Sequence, residues 1–286
     1  MPNFNLPLKS TLLFIVSVLL NCGLIGQDLE QTYQSGKANF ALGNYQAASL
    51  DFERVIFFGQ GKYDEEVFEL LGKIHQANGD YERSASFFSQ AADYSTLSEN
   101  FLRNKIAQAS CLILGNKAVL AKIELLGLSD NIPDSIQAKQ YFLLGVSEFT
   151  SGSFDESRKA FKKSTSIVNP SKETHIDSLF DALANIKHPN PKTARILSMI
   201  IPGSGQFYAG DVKNGFNSLL LTGGFVTVGF IIAINYSLLD SFVSVIPWIQ
   251  RYYIGGIKRS GDIAVDRKLQ KQDEIYQEIL LTVKKL

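Results

Sequence analysis

YERSASFFSQA, running from Tyr81 to Ala91, decides the fold: Tyr81, Ser84, Ala85, Phe88 and Ala91 are apolar or small at the three-then-four spacing that builds one buried helical face. Gly79 stands just before it, where a tight entry turn needs a residue that tolerates positive φ. The same phrase recurs on both sides. Glycines at 43, 79, 115 and 152 are about one helical hairpin apart. Gly43 is followed by Tyr45, Ala48 and Phe52, Gly79 by Tyr81, Ser84 and Phe88, and Gly152 by Phe154, Ser157 and Phe161. Seven residues before three of these glycines stand Gly36, Gly72 and Gly145, with Gln108 in that place in the third unit. After Gly115 the pattern degenerates to Lys117, Leu120 and Glu124. A single hairpin cannot bury its own apolar face, so units of this kind stack and share one core.

Over residues 27–170 the pattern resembles the tetratricopeptide repeat, in which a small residue on the first helix of each hairpin admits an aromatic of the second. The resemblance implies an all-α, tetratricopeptide-like helical-hairpin solenoid whose first helices line a concave binding face. Lys37 and Lys73 fall at equivalent first-helix positions and Lys105 one turn earlier in its unit. These three are the candidate concave-face residues for an acidic peptide, although the family's full carboxylate-clamp pattern of lysines and asparagines is absent.

Composition narrows the function classes. The 286 residues carry 28 Lys+Arg against 28 Asp+Glu, which removes the electrostatic case for nucleic-acid binding. Only Cys22 and Cys111 occur, so neither a disulfide framework nor a Cys-rich zinc site is expected. His75, His175 and His188 are isolated, and neither a zinc-protease helix motif nor a nucleophile elbow is present. The expectation is a protein with no catalytic residues, no metal and no cofactor.

Two segments speak of membranes. Lys9 precedes an uncharged apolar run from Ser10 to Leu20 and a small-residue exit, the pattern of a signal peptide over residues 1–26 with cleavage after Gly26. The alternative is lipoprotein processing at Leu19-Leu20-Asn21-Cys22, anchoring the chain through Cys22. Further on, only Asp211, Lys213, Asp240 and Arg251 are charged between Ile196 and Ile257, and Asn214 to Leu239 is uncharged, long enough to cross a bilayer as a helix. Residues 196–209 are expected as an interfacial or re-entrant hairpin, and residues 241–256, with Trp248, Tyr252 and Tyr253, as a weaker second span. The basic flank Lys258, Arg259, Arg267, Lys268 and Lys271 favours the cytoplasmic side, so an odd number of crossings is expected in effect.

PGSGQFYAG, Pro202 to Gly210, is the most specific string in the chain. It resembles the Pro-Gly-x-Gly-Gln-x-Tyr-x-Gly signature of a bacterial family of small membrane domains, similar to two-transmembrane-segment domains, and Tyr253-Ile-Gly-Gly256 resembles that family's second element. The motif residues are Pro202, Gly203, Gly205, Gln206, Tyr208 and Gly210. The simplest role is a tight turn near the membrane; the alternative is a backbone nest for a lipid phosphate, with Lys213 nearby. The domain order expected is a signal peptide (1–26), repeats (27–170), a linker (171–192), a membrane domain (193–257) and a basic amphipathic tail helix (258–286). Together these readings predict an exported repeat domain tethered to a bacterial inner membrane, binding an envelope protein or peptide and membrane lipid. The rival is a membrane-embedded component of lipid handling or transport regulated by the repeats.

Overall fold

A computed structural model describes residues 28–129 and 132–284. The expected leader and Cys22 lie outside the described residues. Among these residues the chain forms thirteen α-helices, one 3-10 turn and no strand. They divide into two compact units between Ser164 and Thr165.

The first unit is a run of helical hairpins: α1 (Leu29–Ala41) with α2 (Tyr45–Gly59), α3 (Asp64–Ala77) with α4 (Tyr81–Tyr94), α5 (Ser98–Leu114) with α6 (Ala118–Leu126), and α7 (Asp134–Thr150) with α8 (Phe154–Val168). Asp28 caps α1 by accepting from the Glu30 amide, and Asp80 caps α4 by accepting from the Arg83 amide, so each satisfies an otherwise orphaned donor. The residue that turns the chain between the two helices of each hairpin is left-handed: Gly43 at φ 75°, Gly79 at 76° and Gly152 at 79°.

Inside the hairpins the small residue does what the pattern demands. A methyl group on Gly36 would lie 2.7 Å from the Phe52 ring, on Gly72 3.1 Å from Phe88 and on Gly145 2.8 Å from Phe161. Ser84 Oγ donates to the Gly72 carbonyl at 2.7 Å and Ser157 Oγ to the Gly145 carbonyl at 2.8 Å, tying the second helix to the first at the point of closest approach.

The third hairpin corrects the register read from sequence. Gly115 has an ordinary φ of −81°, and the left-handed turn residue is Asn116 at φ 59°. Asparagine tolerates this conformation because its short polar side chain bonds locally. The whole unit therefore sits one residue later than its glycine suggests. Ala109 takes the place of the helix glycine, Ala121 that of Ser84, and Leu125 that of Phe88, and all three are fully buried with Leu144 and Ala160. Gln108 and Glu124, read from sequence as the degenerate pair, instead both bond Lys105, at 3.2 and 3.0 Å.

The second unit holds the 3-10 turn Pro170–Lys172, then α9 (Glu173–Ala184), α10 (Pro191–Ile200), α11 (Ser204–Tyr208), α12 (Val212–Asn235) and α13 (Leu238–Lys284). Asn190 caps α10 through the Lys192 and Thr193 amides, and Pro191 at the first helical position needs no hydrogen bond there. Pro202 and left-handed Gly203 then end that helix and start α11, which folds back on α10, so residues 196–209 form a short helical hairpin. Residues 171–192, expected as a linker, contain α9, whose buried Ile176, Leu179, Phe180 and Leu183 face a helical neighbour, and α9 packs on α13. Lys172 donates to the Thr282 carbonyl at 3.3 Å. The tail is thus covered by the chain itself.

α13 is one helix of 47 residues that runs through Pro247, joining the expected second span to the expected tail. It returns antiparallel to α12. Ser241 Oγ donates to the Gly229 carbonyl at 2.7 Å, Phe225 stacks with Trp248 and Tyr252 at 6.0 and 5.4 Å, and Gly256 lies against Ser218. Residues after Gly256 are consequently back at the end where α12 begins. α12 has 24 residues and is long and apolar enough to cross a membrane, with 11% of its most apolar window buried.

Candidate functional site

The first helices of the hairpins carry the face on which a partner was expected, and the three expected lysines are already engaged there. Lys37 Nζ lies 2.8 Å from Glu66 on the next hairpin. The Tyr33 hydroxyl donates to the same carboxylate, and Tyr33 stacks on Tyr63 at 4.3 Å. Burial, and then the Glu66 hydrogen bond, push the Tyr33 phenol up to about 12. Burial raises Glu66, but its hydrogen bonds from Lys37 and Tyr33 outweigh that and hold it below the usual glutamate range. Lys73 pairs with Glu69 one turn away at 2.5 Å. Lys105 is mostly buried against Glu124 and Gln108. Lys37 and Lys105 tie neighbouring helices together, Lys73 is paired within its own helix, and the three offer no shared anion site.

A groove of about 440 Å³ opens instead along α5 and α7, with Gln76 of α3 at one edge. Ile106, Ala107, Phe142 and Leu143 give it an apolar floor, Ser110 and Ser135 line it, and Arg103 and Lys139 stand over it. Arg103 reaches only its exposed helical neighbour Glu99, at 3.9 Å, a pair worth little in water. Lys139 has no ion pair among the described residues. In the corrected register Arg103 and Lys139 occupy the same repeat position, thirteen residues before the left-handed turn, where the first two repeats carry Glu30 and Glu66. The sequence reading missed Arg103 because it fixed the third unit on Gly115, and Lys139 because it followed the position of Lys37 and Lys73 rather than that of Glu30 and Glu66.

The motif residues converge in the second unit. Gln206 is almost fully buried: its Oε1 accepts from Ser198 Oγ at 2.9 Å, and its Nε2 donates to the Gly256 carbonyl at 2.9 Å, linking α11 to α13. The glycines allow backbone contact. A methyl on Gly205 would lie 1.9 Å from the Ala194 carbonyl oxygen, and one on Gly203 2.3 Å from that of Gly215. The Tyr208 hydroxyl accepts from the Asn190 amide at 3.2 Å, and Arg267 donates to the Gly210 carbonyl at 3.4 Å. Two of the three amides that a nest over Gly203, Ser204 and Gly205 would use are taken: Ser204 N–H donates to the Ile201 carbonyl and Gly205 N–H to Ser198 Oγ. Pro202 to Gly210 is therefore arranged as a structural joint.

Cys111 is buried beside Ser84 Oγ, 3.1 Å away, and burial raises its thiol, which makes it a poor nucleophile. Among the described residues no group of three His, Cys, Asp or Glu side chains could hold a metal ion. No protein-family model matches the chain, and no curated protein or solved structure matches it either.

Proposed function

We propose that the chain is a non-enzymatic adaptor: a tetratricopeptide-type repeat domain, exported and tethered to a bacterial inner membrane through its C-terminal unit, that binds an envelope protein by a short acidic and apolar segment. The observation that carries this reading is the groove between α5 and α7, where Phe142, Ile106 and Leu143 offer apolar anchoring and Arg103 and Lys139 are left to an outside carboxylate. Helix-face grooves of this kind take a peptide by a few buried apolar anchors plus charge complementarity. Tethering is supported by α12, whose apolar side chains, such as Leu220, Phe230 and Ile234, are exposed and so have no protein core to enter. On this reading α12 crosses the bilayer, the first half of α13 returns beside it, and both flanks of the hairpin share one side with the exported repeats.

The full-length protein in dodecyl maltoside is screened against a random phage-displayed peptide library. Enrichment of peptides combining Asp or Glu with large apolar residues is expected. It should be lost in Arg103→Glu/Lys139→Glu and weakened in Phe142→Ala. No enrichment over bare matrix, or enrichment indifferent to the charge reversal, overturns the proposal.

A further inference from the structure

A second cavity lies in the C-terminal unit, between the first two turns of α12 and the middle of α13. It has a volume of about 250 Å³, and its lining includes Arg251, Arg259, Asn217, Ser218 and Gly255, with Gln206 beside them. We propose that it binds a phosphate group, presented by a lipid headgroup or as the free ion. This inference is independent of the repeat groove.

The charge there is concentrated and uncompensated. Arg251 and Arg259 are two helical turns apart on one face of α13, about 12 Å along the axis, with Gly255 midway. Neither arginine has an ion pair among the described residues. Asp211 acts on Arg259 without forming an ion pair with it, and its two carboxylate oxygens accept from the Asn214 amide at 3.0 Å and side chain at 2.6 Å. Ser218 Oγ is buried without a hydrogen-bond partner, so a hydroxyl inside the cavity wall is unspent.

Packing does not explain Gly255. It sits inside a long helix, where glycine costs about 1 kcal/mol relative to alanine. Its neighbour Gly256 earns its place by close packing, since a methyl there would lie 2.6 Å from Ser218 Oγ. A methyl on Gly255 would meet nothing within 4 Å. Its missing side chain leaves open space in a cavity lined also by Arg251 and Arg259, one turn before and one turn after it on the helix. A tetrahedral phosphate can accept from two guanidinium forks at once through different oxygens, which a single carboxylate does less well. Gln206 is not among the donors, because both ends of its amide are already bonded.

Trp248, the chain's single tryptophan, lies one turn from cavity-lining Tyr252 and stacks with it at 6.4 Å, so it reports on the site. The full-length protein in dodecyl maltoside micelles and phosphate-free buffer is titrated with dihexanoyl phosphatidic acid and, separately, with inorganic phosphate, following Trp248 fluorescence. A saturable response is expected. Response to the lipid alone assigns a headgroup, and response to both assigns phosphate whatever carries it. Arg251→Gln and Arg259→Gln should each weaken binding by about tenfold or more, the size of one charge-assisted hydrogen bond. Gly255→Leu keeps both arginines, favours the helix and fills the space, so it should abolish saturation. No saturable response to either probe overturns the proposal. So does equal weakening in Lys258→Gln/Lys268→Gln, which removes two charges outside the cavity.

Discussion

Gly145→Ala tests the packing rule of the repeats where the added methyl meets three carbons of the ring at once. The added methyl would lie 2.8 Å from two ring carbons of Phe161 and 2.9 Å from a third. That is about 0.7 Å inside the ~3.5 Å of an optimal carbon pair. Phe161 is fully buried, and the atoms approached include the ring carbon nearest the backbone, so the side chain cannot swing clear. Overpacking of this kind costs about 1–3 kcal/mol, and replacing a mid-helix glycine by alanine returns about 0.5–1 kcal/mol. The net expectation is a destabilisation of about 0.5–2 kcal/mol, read as roughly 2- to 30-fold faster amide exchange in α7 and α8 of the full chain. The third hairpin supplies the remedy, because there Ala109 faces Leu125 where the others set glycine against phenylalanine. Gly145→Ala/Phe161→Leu should therefore cost less than the two single changes added, with a favourable coupling of about 1 kcal/mol. Additive effects, or a Gly145→Ala protein exchanging like the parent, would refute the idea that these small residues are there to admit the ring.

Three further outcomes are expected. Asn116→Gly should be near-neutral, Asn116→Val should cost about 1–2 kcal/mol in exchange protection of α5 and α6, and Gly115→Ala should be mild, because the left-handed residue is Asn116; equal costs at 115 and 116 would restore the glycine register. Tyr33 titrates at about 12 in the folded chain and near ~10 unfolded, so between those values the unfolded chain releases a proton that the folded one keeps. Stability of the first hairpins should fall as pH rises through that window, and Tyr33→Phe should make the alkaline limb shallower in melting experiments; an unchanged limb refutes the assignment. With Cys111 replaced, single cysteines at exposed Ser153 and Gln270 should both react with an impermeant thiol reagent admitted to the outer face of the inner membrane. Labelling of 153 alone refutes the returning helix, and labelling of neither refutes export. Ser260 is unsuitable for this test, since it is fully buried and bonded to the Ile257 carbonyl.

The hairpins were legible because their signal is redundant: a turn glycine, a small helix residue and a buried aromatic recur together at Gly43, Gly79 and Gly152. The third register was not, because residue identity stood in for backbone conformation. Gly115 is the last residue of its turn to keep negative φ, and Asn116 does the work of the other repeats' glycines. Lys37, Lys73 and Lys105 were visible as charges, but their partners Glu66, Glu69 and Glu124 become neighbours only through the helix and hairpin geometry. Across the C-terminal unit, composition revealed an apolar helix and a weaker apolar segment at 241–256, but not that this segment and the basic tail form one helix, because Pro247, Arg251 and the charges after Ile257 interrupt the hydrophobic run of α13 while leaving the helix intact. The phosphate cavity is the product of that pairing, since Arg251 and Arg259 meet Ser218 only when α13 returns.

The position thirteen residues before each left-handed turn changes sign along the array. It carries Glu30, Glu66, Arg103 and Lys139 in order, on helices that otherwise share one packing scheme. Packing does not dictate the sign there, because the side chains lie on the open face of the first helix rather than against the second. In the first two repeats the acids are consumed locally: Glu66 by Lys37 and Tyr33, and Glu30 by the Tyr63 hydroxyl and by Lys62 at 3.8 Å. In the last two the bases line a groove with an apolar floor, where Arg103 has only the exposed Glu99 of its own helix, at 3.9 Å, and Lys139 has no ion pair among the described residues. A stack stabilised by its own ion pairs would have continued the acid-to-lysine scheme. Reversal of charge exactly where the groove opens instead leaves two cations beside Phe142 and Ile106, which is the combination an acidic, apolar peptide requires and the repeats themselves do not.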